Sequence, residues 1–172
     1  PEGPLTVVGT ADTTGTRVTF HPDPEIFETL DFQFDTLKYR LRELAFLNAG
    51  LKITLEDKRE GKEDKREFHY EGGIVSFVDY LNRNKEVMLP KTIWFSGSKD
   101  DTSVEIAMQD NDTYSEPIFT FANNIATEEG GVHLDGFKAA LTRTLNDYAR
   151  RNNLLKANDP TPSGEDFREG MT

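Results

Sequence analysis

The sequence predicts an α+β fold, because helical and strand periods alternate along its 172 residues. Leu37, Leu41, Leu44 and Leu47 recur at spacings of four, three and three, the period of a helix buried on one side. Leu51, Ile53 and Leu55 then alternate with polar residues, as in a half-buried strand. Leu134, Phe137, Leu141, Leu145 and Tyr148 return to helical spacing, and Ala139, Ala140 and Ala149 add intrinsic helix preference.

The elements follow in chain order. Val7, Val8 and residues 16–20 have strand character around a polar turn at 11–15, and His21-Pro22-Asp23-Pro24 ends the second strand. Asp35 is the expected N-cap of the first helix, which Asn48-Ala49-Gly50 closes. Residues 58–67 carry five basic and four acidic side chains, so the signs nearly cancel and the run reads as a hairpin tip or exposed connection. Glu71-Gly72-Gly73 opens a helix bearing Ile74, Phe77, Val78 and Leu81, ending near Asn84. A charged loop before it and a fresh pattern after it mark a boundary near residue 69. Residues 92–95 and 103–108 are strands around a turn at Gly97-Ser98-Lys99-Asp100-Asp101, and residues 117–122 are a third strand ahead of Asn123-Asn124. The long helix stops at Asn152-Asn153; Ser163 or Gly164 caps a short final helix with Glu165 and Asp166.

Composition excludes several function classes. There is no cysteine, hence no disulfide scaffold, thiolate metal site or cysteine nucleophile. A formal net charge of −11 opposes free-standing nucleic-acid binding, which needs clustered Lys and Arg, so any DNA contact is local. No apolar run is long enough to span a membrane. The chain does not open on Met, and is expected to be cut from something longer. His21, His69 and His133 lie at no metal-ligand spacing, so no metal site is expected. Gly130-Gly131 precedes a helix as a phosphate cradle would, but Glu128 and Glu129 would repel an anion there, and a tight turn is the better reading. Lys138, Arg143, Arg150 and Arg151 bias the long helix towards positive charge, either as a solvated face with an Arg143–Asp147 pair or as a wall facing DNA phosphate.

Several stretches carry a resemblance when taken in order. They are Thr14-Gly15-Thr16-Arg17-Val18-Thr19-Phe20, Pro22-Asp23-Pro24-Glu25-Ile26-Phe27 and Leu41-Arg42-Glu43-Leu44-Ala45-Phe46-Leu47-Asn48. Phe68-His69-Tyr70-Glu71-Gly72-Gly73 and Tyr80-Leu81-Asn82-Arg83-Asn84-Lys85 follow. Later come Asn123-Asn124-Ile125, Glu129-Gly130-Gly131-Val132-His133-Leu134, Gly136-Phe137-Lys138 and Thr142-Arg143-Thr144-Leu145-Asn146. Together these resemble the B subunits of bacterial DNA gyrase, a type IIA topoisomerase. The likeness runs nearly end to end.

The resemblance implies that residues 1–68 are the C-terminal part of a GHKL ATPase sandwich. It implies that residues 69–172 are a transducer domain like domain 2 of ribosomal protein S5, truncated before its Gln-Thr-Lys loop. It aligns Thr16 with a threonine that helps bind the adenine of ATP, Val18 with an apolar wall of that pocket, and Lys138 with a basic residue facing the cavity for transported DNA. The catalytic glutamate, the magnesium-binding asparagine, the ATP lid and the TOPRIM metal site all fall outside the chain, so the parent would bind ATP and Mg while this piece alone hydrolyses nothing. The implied partners are the gyrase A subunit in a heterotetramer, a second B subunit, and DNA; the implied location is the cytoplasm. Three departures stand out: Val132 replaces the usual threonine, His21 a common aromatic, and Asp110 an aromatic before Asn111-Asp112, which would weaken a packing contact. The B-type subunit of topoisomerase IV is the near rival, and a non-enzymatic S5-like interaction module is the rival from another class.

Overall fold

The chain divides into two units, Pro1–Gln33 and Phe34–Thr172. The computed structural model describes residues 3–4, 6–156 and 158–172. Among the described residues of the first unit there is neither helix nor strand, so the strands expected at Val7-Val8 and 16–20 do not form. A strand exists only where its N–H and C=O groups meet a neighbouring ladder, and the described residues supply none. Val7, Val8, Val18 and Phe20 are exposed. What forms is local. The Asp23 carbonyl accepts hydrogen bonds from the Ile26 and Phe27 amides at 3.1 and 2.9 Å, and Asp23 Oδ1 accepts one from the Glu25 amide at 2.9 Å. Pro24 holds the φ such a turn needs at its second position.

The second unit is α+β. It contains α1 (Phe34–Leu47), β1 (Lys52–Asp57), β2 (Asp64–His69), α2 (Gly73–Asn82), β3 (Ile93–Lys99), β4 (Thr102–Met108), β5 (Phe121–Ala122), β6 (Ile125–Ala126) and α3 (Val132–Arg151). Consecutive strands pair as three antiparallel hairpins. Asp35 falls inside the first turn of α1 instead of capping it. There its carboxylate meets Lys38 on the same helix face, a hydrogen bond that lowers the Asp35 pKa and also suits the helix dipole.

The last four residues of the charged run 58–67 turn out to be strand, the start of β2. In the β1–β2 register Ile53 faces Phe68 and Leu55 faces Arg66, so one covered face suffices and the other stays charged. Phe68 is buried, while Lys52 and Glu67 form an exposed diagonal ion pair at 2.9 Å. Only the connection between the strands is tip. Arg59 clasps it: its guanidinium reaches Asp57 Oδ2 at 2.6 Å and its amide reaches Asp57 Oδ1 at 3.0 Å. Those hydrogen bonds hold the Asp57 carboxyl down at about 2.

The core of this unit is aromatic. Phe46, 1% exposed, stacks on Tyr70 with ring centroids 3.7 Å apart and planes 18° apart. It also meets Phe77 at 5.0 Å and Tyr80 at 5.5 Å on α2. Phe77 continues the contact to Phe119 at 5.4 Å. The helices approach closely because Gly73 lacks a side chain: a Cβ there would lie 3.3 Å from Ala49 Cβ, and its φ of +57° disfavours any other residue.

The β3–β4 hairpin is longer than expected, with its turn at Asp100-Asp101 and Lys99 opposite Thr102. The expected strand 117–122 contracts to β5, because Pro117 has no N–H for a ladder and the chain reverses at once. Asn123 and Asn124 take φ of +49° and +65°, the left-handed pair that a two-residue hairpin turn requires. Helix α3 stops at Asn152-Asn153 as expected, and Leu134, Phe137, Leu141 and Leu145 lie half-buried along one side. The expected final helix is only a single turn. Ser163 and Asp166 cap each other reciprocally, at 2.7 and 3.2 Å, but the chain then leaves at Gly170.

Phe46→Ala is expected to destabilise the second unit by about 3–5 kcal/mol. The measurement is faster hydrogen exchange of α1 and α2 amides in the intact protein; unchanged exchange would refute a core centred on Phe46. For Asp57, the folded pKa is depressed, so its contribution is present above the ordinary carboxylate value and lost as pH falls towards about 2. An NMR titration is expected to show the residue 57–62 clasp intact at pH 4 and opening only near that value.

Candidate functional site

The last residues of the chain are drawn into a polar hub. The Thr172 hydroxyl donates to Asn82 Oδ1 at 2.7 Å, and accepts from Lys85 Nζ and Asn111 Nδ2, each at 3.1 Å. Thr172 and Gln109 exchange both backbone hydrogen bonds, at 2.9 and 3.0 Å. Asn82 Nδ2 donates to Gln109 Oε1 at 3.1 Å. Asn82, Gln109 and Asn111 are all buried, so every partner in this cluster offsets a desolvation cost. Gly170 makes the approach possible: with φ of +77°, a Cβ there would stand 2.5 Å from the Asn111 carbonyl oxygen. Asp110, where the sequence departs from an aromatic residue, bridges through its backbone to Met171 and lies beside this hub.

A second cluster surrounds Lys138. Its ammonium is 3.9 Å from Glu116 Oε1, and Glu116 Oε2 accepts from Arg168 Nε at 3.0 Å. Arg168 is buried, whereas Lys138 is half-exposed. Residues 161–162 follow α3, with the Pro162 carbonyl accepting from Asn146 Nδ2 at 3.1 Å and the Thr161 hydroxyl from Arg150. Arg143 and Asp147 form no ion pair among the described residues, so the expected i,i+4 pair is absent and Arg143 stays exposed. Among the described residues, a carboxylate from the irregular stretch before β5 meets the basic face of α3 at Lys138.

An open cleft of about 320 Å³ lies between α1 and the β5–β6 hairpin. Arg40 and Glu128 pair across it at 3.0 Å. Glu128 thus sits beside the start of α3, and the Gly130 amide donates to the Thr127 carbonyl at 2.9 Å, so Gly130-Gly131 forms a tight turn. Thr16 and Val18 are both exposed in the first unit. Among the described residues no three His, Cys, Asp or Glu are grouped to hold a metal ion, and no helix is long and apolar enough to cross a membrane. Sequence reading missed Glu116, Arg168 and Thr172. Single polar residues in irregular segments carry no period; the one available signal is the Asn82-Arg83-Asn84-Lys85 stretch, whose Asn82 and Lys85 both enter the hub.

Comparison with known proteins gives a consistent result. The profile of the DNA gyrase B family matches residues 73–172. The DNA gyrase B protein of Clostridium acetobutylicum is 58% identical over 170 residues, covering 98% of this chain and 26% of that protein. The DNA gyrase B protein of Bacillus mycoides is 54% identical over 173 residues, covering 100% of this chain and 43% of that protein. The chain thus spans less than half the length of these relatives. The crystal structure of the 43K ATPase domain of Thermus thermophilus gyrase B, in complex with an aminocoumarin, superposes with a TM-score of 0.74 at 37% identity, covering 87% of this chain and 40% of that one. The topoisomerase IV ATP-binding domain of Francisella tularensis shares the fold at 20% identity, with a TM-score of 0.63 over 87% of this chain and 39% of that one.

Thr172→Val keeps the shape of the hub but removes its shared hydroxyl. It is expected to cost about 1–3 kcal/mol, since buried Asn82 and Asn111 lose a partner. Hydrogen exchange at residues 109–112 measures it, and a neutral result would mean that the hub does not hold residue 172 in place.

Proposed function

The chain belongs to the DNA gyrase B family, and from that premise we propose that it is the joint of an ATP-operated clamp on DNA. In this reading residues 1–68 complete a GHKL nucleotide-binding domain and residues 69–172 begin its transducer. The transducer relays nucleotide state to a distant DNA gate by rigid-body movement. The whole enzyme, a heterotetramer with the A subunit that is closed by contact with a second B subunit, uses ATP to pass one duplex through another and supercoil DNA negatively in the cytoplasm. Topoisomerase IV is not the favoured alternative, because relatives at 54–58% identity carry the gyrase name.

The observation that carries the coupling role is the aromatic stack across the proposed 68/69 boundary. Phe46 precedes that boundary, and Tyr70, Phe77 and Tyr80 follow it. The Tyr70 carbonyl also accepts from the Gly50 amide at 3.1 Å. A close-packed joint of this kind moves as a block and passes on displacement instead of absorbing it.

Thr16 is assigned to the adenine end of the nucleotide site, where its hydroxyl can hydrogen-bond the base directly or through water, and Val18 to an apolar wall of that site. These two exposed residues do not fit ATP by themselves, and no Mg ligand set occurs among the described residues. The other walls and the metal ligands would come from the longer protein, and no step of hydrolysis falls to these residues. Lys138 is assigned to the DNA-facing cavity, its ammonium being the partly exposed charge that a phosphate can reach.

Full-length B protein assembled with the A subunit tests the proposal. Thr16→Val is expected to raise the apparent KM for ATP roughly 2–10-fold, the worth of one hydrogen bond, with kcat little changed. Lys138→Met is expected to lower DNA stimulation of ATP turnover while leaving turnover without DNA unaltered. The assembly is expected to supercoil relaxed circles in preference to unlinking catenanes. If neither substitution moved its parameter, the S5-like interaction module would become the better reading.

A further inference from the structure

We infer that Glu116 is a positioning residue that sets how strongly Lys138 engages a DNA phosphate, by holding that ammonium and the buried Arg168 guanidinium on one carboxylate. This rests on the reading of Lys138 as DNA-facing. The two contacts are unequal. Arg168 Nε lies 3.0 Å from Glu116 Oε2, a charge-assisted hydrogen bond, whereas Lys138 Nζ stands 3.9 Å from Oε1. The Arg168 side chain is 10% exposed and that of Lys138 is 33% exposed. A buried guanidinium cannot give up its carboxylate without leaving an unpaired charge, so Arg168 pins Glu116.

The guanidinium is itself confined. A Cβ on residue 164 would lie 2.7 Å from Arg168 Nη1 and 2.8 Å from Thr142 Oγ1, so the backbone at Gly164 closes one side of it. Glu116 is therefore held in place beside the half-exposed ammonium. Lys138 reaches a phosphate only by leaving this carboxylate, and Glu116 weakens the DNA contact by competing for the same charge. When Lys138 leaves, the carboxylate serves Arg168 alone. Bound DNA then tightens the anchor of the segment that carries Arg168, and by linkage a tighter anchor favours DNA.

The test uses full-length B protein assembled with the A subunit, linear duplex DNA as the probe, and DNA-stimulated ATP turnover measured over a salt series. Glu116→Gln keeps an oxygen acceptor for Arg168 but removes the competing charge. It is expected to lower half-saturating DNA about two- to fivefold, as for a surface ion pair, and to steepen the log–log salt dependence by up to about 0.9, one more phosphate neutralised. In a Lys138→Met background the same substitution is expected to change neither. A purely structural role would reduce stability and leave the salt slope alone. Should Glu116→Gln fail to fold, the Glu116→Gln, Arg168→Met pair removes the buried charge with its partner, and the same shift is expected. An unchanged salt slope, or an equal gain with residue 138 already Met, overturns the role of Glu116. If Lys138→Met alone leaves half-saturating DNA and the salt slope unchanged, the DNA-facing reading fails instead.

Discussion

Phe46 is where the second unit is fastened. Its ring stacks on Tyr70 and meets Phe77 and Tyr80 of α2, and Phe77 passes the contact on to Phe119 near β5. Each such pair adds about 0.5–1.5 kcal/mol beyond the area it buries. More important is geometry: stacked rings tolerate little sliding, so α1, the exit from β2 and α2 share one alignment. Gly73 lets the helices come close enough for this to happen. Beyond it, the β3–β4 hairpin packs on α2 through β4.

Polar contacts then carry that alignment to the end of the chain. Asn82, the last residue of α2, is buried and bonds Gln109 and Thr172. A buried amide has few acceptable partners, so such a network fixes a register where an apolar patch would permit several. The segment ending at Thr172 is thereby tied to α2 at one end, and by Arg168 to Glu116 at the other. The DNA-facing reading of Lys138 gains a physical neighbour from this arrangement, since the same carboxylate touches both cations.

The candidate site was legible to different depths. Lys138 stood out through the basic bias of a periodic helix, and the structure keeps it half-exposed there. Thr16 and Val18 gained a role only from an ordered set of family motifs; their own spacing describes a loop meeting a strand. Glu116, Arg168 and Thr172 were invisible, because a lone acid in one irregular stretch and a lone base in another become partners only when the chain folds back along α3.

By itself the sequence determined the three helices and the β3–β4 hairpin. Periodicity and the stop at Asn152-Asn153 are local matters of side-chain spacing and backbone sterics. It also determined the family, since ordered motifs survive without knowledge of contacts. Tertiary structure decided what depends on a partner: that residues 16–20 form no strand without a neighbouring ladder, that the end of the charged run 58–67 becomes β2 because β1 lies beside it, and that β5 contracts where Pro117 and the asparagine turn crowd it. Backbone hydrogen bonds between strands, and a carboxylate shared by two cations, join residues far apart in sequence, and no local spacing encodes them.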